Sequence, residues 1–245
     1  MNLEAEEQGD PGGLETLEEF SHAPAFNRWL FENLAPFCKG KILEIGSGIG
    51  NISRFLMEMP GPLTLTDLRP GFCAVLKEQY AGRANLESIC QVDISLADFD
   101  SGYPGLLNRY DTVLASNVIE HIGNDALAVQ NCRKLLTANG HLIVLVPAYQ
   151  WLHNSLDEGL GHFRRYNANG LKTLLHAQDM EIIFCRYFNF GAIAGWWFSG
   201  NVLKKKIVPY GPLWIYNKMV PVFRLVDHIV KHRAGLSVIA VAKTS

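Results

Sequence analysis

Ile42-Leu43-Glu44-Ile45-Gly46-Ser47-Gly48-Ile49-Gly50-Asn51 is the stretch on which the fold turns. A short apolar run ends in a bend with a glycine at every second position, and a helical pattern begins beyond Asn51. Glycines at such a bend permit left-handed backbone and let a ligand approach the main chain closely. The dinucleotide fingerprint spaces its glycines G-x-G-x-x-G and sets a pyrophosphate on the helix N-terminus. Here the spacing is G-x-G-x-G, and Glu44 stands two residues before the first glycine. A carboxylate there opposes a pyrophosphate and suits a ligand with cationic sulfonium and ammonium groups.

Further apolar runs follow in a regular rhythm. Lys41–Ile45, Leu63–Thr66, Leu86–Val92, Tyr110–Ala115 and His141–Val146 read as strands, with helices near 71–81 and 124–137 between them. Strands alternating with helices imply βα units and a parallel sheet covered on both faces. Upstream, Leu14–Cys38 is mostly helical, with Phe26, Trp29, Leu30 and Leu34 on one face. Downstream lie a loop at 148–167, a helix near 168–178, a strand near 181–187 and a final strand at Ser237–Ala242.

On these residues the chain resembles the class I S-adenosylmethionine-dependent methyltransferases. The run E-I-G-S-G-I-G-N looks like their first motif, and the later landmarks stand in the family's order, each at a strand's end. The resemblance implies a Rossmann-like α/β fold, doubly wound, with seven strands, the last antiparallel. It implies S-adenosylmethionine as cofactor and S-adenosylhomocysteine as product. The cofactor residues it implies are Glu44, Gly46, Ser47, Gly48, Gly50, Asp67, Leu68, Asp93, Ile94, Asn117 and Val118. Asp67 would take both ribose hydroxyls, since a carboxylate's two oxygens suit a vicinal diol. Asp93 would accept the adenine amino group, with Ile94 on the ring. The bland reading of Asp67, Asp93 and Asn51 is helix capping, and Arg69 is either a cover for the adenine or a solvated helix start. A nicotinamide-dependent reductase and a non-catalytic cofactor-binding or membrane-associated scaffold are the rival readings.

The acceptor side is less determined. His121 is either a general base or a structural histidine bonding a backbone carbonyl. The run Gly161-His162-Phe163-Arg164-Arg165-Tyr166 resembles a G-H-x-R-R-Y run of a bacterial subgroup. His162 and Tyr166 are further candidates to take the acceptor's proton. Tyr149, His153, Arg164, Arg165, Trp196 and Trp197 are candidates to bind the acceptor, the arginines through an anionic group. The spacing of His153, Asp157 and His162 fits no common metal pattern, and methyl transfer from a sulfonium needs no Lewis acid, so no metal is expected.

About fifty residues separate the last two strands. In the topology that the resemblance implies, strand six runs parallel to the first five, so this insertion would leave from the cofactor edge and cap the site. The expected organisation is an N-terminal tail and helices over 1–38 closing over the cofactor, with Phe26 and Trp29 above it. A core over 39–187 and 235–245 and a helical cap over 188–234 complete it. The cap is aromatic (Tyr187, Phe188, Phe190, Trp196, Trp197, Phe198, Tyr210, Trp214 and Tyr216) and adjoins Lys204–Lys206. It reads as a lid over a greasy acceptor, a peripheral contact with an anionic membrane, or a plain packing or dimer surface.

Composition sets the outer bounds. The chain has 245 residues, 48% hydrophobic and 19% charged, with net charge −2, which excludes a disordered or collagen-like chain and a strong pull toward nucleic acid. Residues 1–20 carry seven acids and no Lys or Arg, whereas residues 186–233 carry eight bases against Asp227 alone. Five cysteines without a C-x-x-C pair read as reduced thiols of a cytoplasmic protein. The acidic N-terminus without an apolar core reads as lacking a signal peptide. The charge-free stretch Tyr187–Leu203 is near the lower length limit of a membrane span, and its glycines and asparagines disfavour one. The expected partner is a small, hydrophobic or lipid-like acceptor.

Overall fold

The computed structural model describes residues 13–208 and 210–244, with the side chains of residues 210–212 outside the description. The expected tail therefore lies outside the described residues save Gly13, as does the Tyr210 side chain.

The core is a seven-stranded sheet in the order β3-β2-β1-β4-β5-β7-β6. Its strands are β1 (Ile42–Ile45), β2 (Leu63–Asp67), β3 (Leu86–Gln91), β4 (Tyr110–Ser116), β5 (Leu136–Pro147), β6 (Glu181–Phe188) and β7 (Ser237–Lys243). The first five are parallel, and β7 runs antiparallel between β5 and β6. All four β1 residues are buried, as a central strand covered on both faces requires.

Side chains alternate across the pleat, so each strand feeds two cores. Leu43, Val113, Leu142 and Val144 join one, with Ala128, Cys132, Leu171 and Leu175 packed over them. Ile42, Leu65, Leu114 and Ile143 join the other, with Trp29, Leu34, Leu76 and Val220. The first cover comes from α6 (Asp125–Leu135) and α8 (Ala168–His176). The second comes from α2 (Pro24–Leu34), α4 (Pro70–Tyr80) and α10 (Tyr210–Ile229). The parity of Glu44 matches Ile42, so this carboxylate is carried into the second core.

Three elements differ from the sequence reading. The helix expected beyond Asn51 is a single turn, α3 (Ser53–Leu56). Pro60 and Gly61 follow it, and a residue before proline is pushed out of the helical region. The loop at 148–167 contains α7 (Ser155–Gly159), opened by a capping box between Asn154 and Asp157. The N-terminal helical stretch is divided into α1 (Gly13–Ser21) and α2, parted before Pro24. Of the other short elements, α5 spans Phe99–Gly102 and α9 spans Ala192–Trp197.

The segment between β6 and β7 leaves the sheet at Phe188, paired with Ser237 and therefore beside the Pro147 end of β5. It forms α9, a π turn over Phe198–Val202, and α10. Two polar clamps hold it. Asp227, buried in α10, accepts from the Asn189 and Phe190 N–H groups, both at 2.7 Å, fixing the exit from β6. Asn217 of α10 accepts from the Ala25 and Phe26 N–H groups at 2.9 and 3.1 Å, supplying the cap that α2 lacks in its own sequence. Among the described residues no helix is long and apolar enough to cross a membrane.

Candidate active site

The C-terminal ends of β1, β2 and β4, the segment after β3, α1, the 156–165 segment and the cap enclose a cavity of about 1210 Å³. Pockets for one small ligand span roughly 300–1,000 Å³. This one has space for a cofactor and an acceptor together.

The glycine turn forms one wall. Gly46 and Gly48 have φ of +67° and +55°, where a side chain is strained, and both line the cavity. A Cβ on Gly46 would sit 2.5 Å from the Val118 side chain. Gly50 serves packing instead: its Cβ position lies 2.7 Å from the Tyr80 hydroxyl, away from the cavity wall. Asp67 at the end of β2 accepts from the Gly48 N–H through Oδ2 and from the Arg69 N–H through Oδ1, both at 2.9 Å. The clamp fixes the turn against β2 and leaves each oxygen a second lone pair for a diol.

Asp93 lines the cavity with Ile94; its Oδ1 accepts from the Ser95 N–H and hydroxyl at 2.8 and 2.6 Å, leaving Oδ2 outside that turn. Leu68, Ser47, Asn117 and Val118 complete this half. Asn117 holds φ at +54° while its N–H donates to the Leu145 carbonyl at 2.8 Å. Asn51 does not cap α3. Its amide donates to the Leu17 carbonyl at 2.8 Å and ties α1 over the turn. Phe26 lines the cavity, whereas Trp29 is buried in the core against Phe188, with ring centroids 4.5 Å apart.

Glu44 is buried, accepts from the Ser53 hydroxyl and lines the cavity. Burial, helped by nearby Asp67, raises its pKa from 4.5 to about 7. A cationic ligand in the cavity would favour the ionised form.

The acceptor half is built around Asp157, which is fully buried and takes four donors. His162 Nδ1 and Arg165 Nε each reach Oδ1 at 2.7 Å, and the Asn154 N–H and Trp196 Nε1 reach Oδ2 at 3.0 and 3.4 Å. Burial alone would raise this carboxyl's pKa, but the His162 and Arg165 bonds outweigh it and hold it low. The His121 ring meets His162 edge-on at 4.7 Å. Burial, then His162 and Arg69, push His121 down to about 3, so it stays neutral and is a weak proton acceptor. The Arg165 guanidinium lies 4.7 Å over the Trp196 ring and donates to the Ala148 carbonyl. His121, His162, Arg165 and Trp196 line the cavity.

Five expected acceptor-side residues do not line it. Tyr166 is buried and donates to Asp125 at 2.9 Å, and burial and that acid raise its pKa, which removes it as a base. Arg164 pairs with Asp125 at 2.7 Å and donates to the Gly123 carbonyl. Tyr149 stacks on Tyr187. A His153 ring nitrogen bonds the His162 carbonyl at 3.1 Å. Trp197 faces outward, 46% exposed. Glu120 escaped the sequence reading; it is fully buried beside His121, and the signal available was an acid set within the apolar run Val118-Ile119-Glu120-His121-Ile122.

A native pKa above the unfolded 4.5 means that the folded chain binds more protons, so Glu44 makes stability fall as pH rises from about 4.5 to about 7. Glu44→Gln should flatten this fall when urea midpoints of the ligand-free protein are measured across that range. An unchanged slope would remove the buried-acid account.

Residues 43–142 match the family model of a methyltransferase domain. Among curated proteins, lovastatin diketide synthase lovF of Aspergillus terreus is 26% identical over 167 residues, 66% of this chain and 5% of that protein. The 5-methylorsellinic acid synthase of the same species is 32% identical over 114 residues, 44% of this chain and 4% of that protein. The chain thus spans a small fraction of the length of these relatives. The [4+2]-cyclase SpnF shares the fold with TM-score 0.59 and 16% identity, over 89% of this chain and 80% of its own. Phosphoethanolamine N-methyltransferase 2 of Haemonchus contortus, solved with S-adenosylmethionine, gives TM-score 0.60 and 16% identity, over 89% and 52%. The strand order and the glycine turn are those of a fold shared with these solved structures, and residues 43–142 match a methyltransferase domain.

Proposed function

We propose that the protein transfers a methyl group from S-adenosylmethionine to a small hydrophobic or lipid-like acceptor. The observation that carries the reading is that one cavity joins the glycine turn to an apolar cap whose lip is exposed. Ile215 and Met219 line the cavity and are also 58% and 39% exposed, so the cap opens onto an apolar surface. When bound, the cofactor supplies an electrophilic methyl on a sulfonium. Asp67 would hold the ribose, Asp93 and Ile94 the adenine, and Glu44 the cationic end. The cap and α1 exclude water, so the protein contributes alignment and a dry site for in-line displacement. His121 and His162 both stand on the wall, and His162, bonded to Asp157, is the better proton acceptor because burial holds His121 neutral with its pKa at about 3. A carbon acceptor is a second reading, supported by polyketide synthases among the relatives and by the CurJ carbon methyltransferase fold, TM-score 0.57 at 16% identity.

The same reading gives the cap a partner. Phe198, Val202, Leu203, Trp214, Leu225 and Ile229 are each about half exposed or more, and Lys204–Lys206 adjoin them. Exposed apolar side chains together with lysines in the cap suit an anionic membrane, from which a greasy acceptor would pass under the cap.

Asp67→Ala should weaken S-adenosylhomocysteine binding by about 1–3 kcal/mol, roughly 5- to 150-fold, through the unpartnered diol and the loosened Gly48 N–H. Unchanged affinity would refute its role. Vesicles rich in phosphatidylserine should sediment the protein, and reversing Lys204, Lys205 and Lys206 to Glu should weaken this by about 3 kcal/mol or more, at about 1 per lysine. Equal sedimentation with neutral vesicles, or no effect of the reversal, would remove the membrane partner.

A further inference from the structure

Glu120 is the least explained group in the molecule. It is fully buried, and among the described residues no donor besides its own amide reaches either carboxylate oxygen. Arg165 does not satisfy it, because its Nε is committed to Asp157 and its Nη1 to the Ala148 carbonyl. Arg165 therefore acts on Glu120 through its charge alone, with no hydrogen bond between them. A buried carboxylate without partners costs several kcal/mol as an ion. Burial raises its pKa to about 8, which relieves the charge but leaves both oxygens without a side-chain hydrogen-bond partner among the described residues.

What lies next to it is a set of metal ligands. A carboxylate oxygen of Glu120 and one ring nitrogen from each of His121 and His162 all lie within 4.8 Å of one another. In each ring one nitrogen is bonded to an oxygen acceptor: His162 Nδ1 to Asp157, and a His121 nitrogen to the Leu160 carbonyl. Such partners fix the tautomer and orient the remaining nitrogen of a ligating histidine. We propose that Glu120, His121 and His162 form a site for a divalent transition-metal cation, with Asp157 orienting His162 from behind. Two imidazoles and one carboxylate with open positions suit zinc, iron, cobalt or manganese. Metal–ligand bonds of about 2.1 Å set tetrahedral edges of roughly 3.4 Å, so the ligands close inward on binding.

The proposal departs from the expectation of no metal, which weighed His153, Asp157 and His162. His121 and His162 line the acceptor half of the cavity, so the open positions face it. Resting on the methyltransferase reading, the cation would take an oxygen of the acceptor, a hydroxyl or a carbonyl, and acidify that hydroxyl or the adjacent carbon.

The test is a titration of chelator-stripped protein with Co2+, followed by visible absorption, with S-adenosylhomocysteine binding and circular dichroism measured in parallel. One Co2+ per chain is expected, and Glu120→Gln, His121→Ala and His162→Ala should each weaken it by at least about tenfold. X-ray absorption of the cobalt-loaded wild type should show two imidazoles, a readout that does not depend on the variants folding. Absence of stoichiometric binding, unchanged binding in the Glu120→Gln/His162→Ala variant, or a coordination shell without imidazole would overturn the site. A protein that binds S-adenosylhomocysteine but fails to bind Co2+ would end this inference and leave the methyltransferase reading standing.

Discussion

Strand direction is the constraint on which the rest of the molecule depends. Five strands run the same way because helical crossovers connect them, so every βα loop emerges on one edge. β6 is parallel to β5 through the intervening antiparallel β7, so the cap must leave from that edge too. The glycine turn, Asp67, Asp93, His121, His162 and Trp196 are far apart in the chain and meet for this reason. The Asp67 clamp on the Gly48 N–H then converts a general crevice into a specific one, since it fixes the turn against β2.

The cofactor half was legible because it is made of local signals. Its glycines sit where φ must be positive, and its acids follow strands whose apolar runs are plain in the sequence. The limits of that legibility are also local. Gly50 has the motif's spacing and a positive φ, yet it meets Tyr80 rather than the cavity. Asn51 has the type of a helix cap and bonds α1 instead. Both outcomes are set by residues from other elements, which spacing does not report.

The acceptor half was less legible because its chemistry comes from burial and long-range pairing. His162, Arg165 and Asp157 are close in sequence, but the opposing Arg164 and Tyr166 turn to Asp125 on α6. Four residues of the run 162–166 are thus split between two acids, and of these the two facing Asp157 line the cavity, as does Phe163. Glu120 carried no signal beyond its apolar neighbours. Its lack of side-chain donors is a property of the folded chain, which no local pattern reports.

The central claim is that the crevice above Glu44 and the glycine turn receives a sulfonium nucleoside rather than a dinucleotide. Calorimetric titration of the wild-type protein with S-adenosylhomocysteine and, separately, with NADH tests this most directly. The account predicts one saturable site per chain for S-adenosylhomocysteine and no binding of NADH. Tight binding of NADH with none of the sulfur ligand would contradict it.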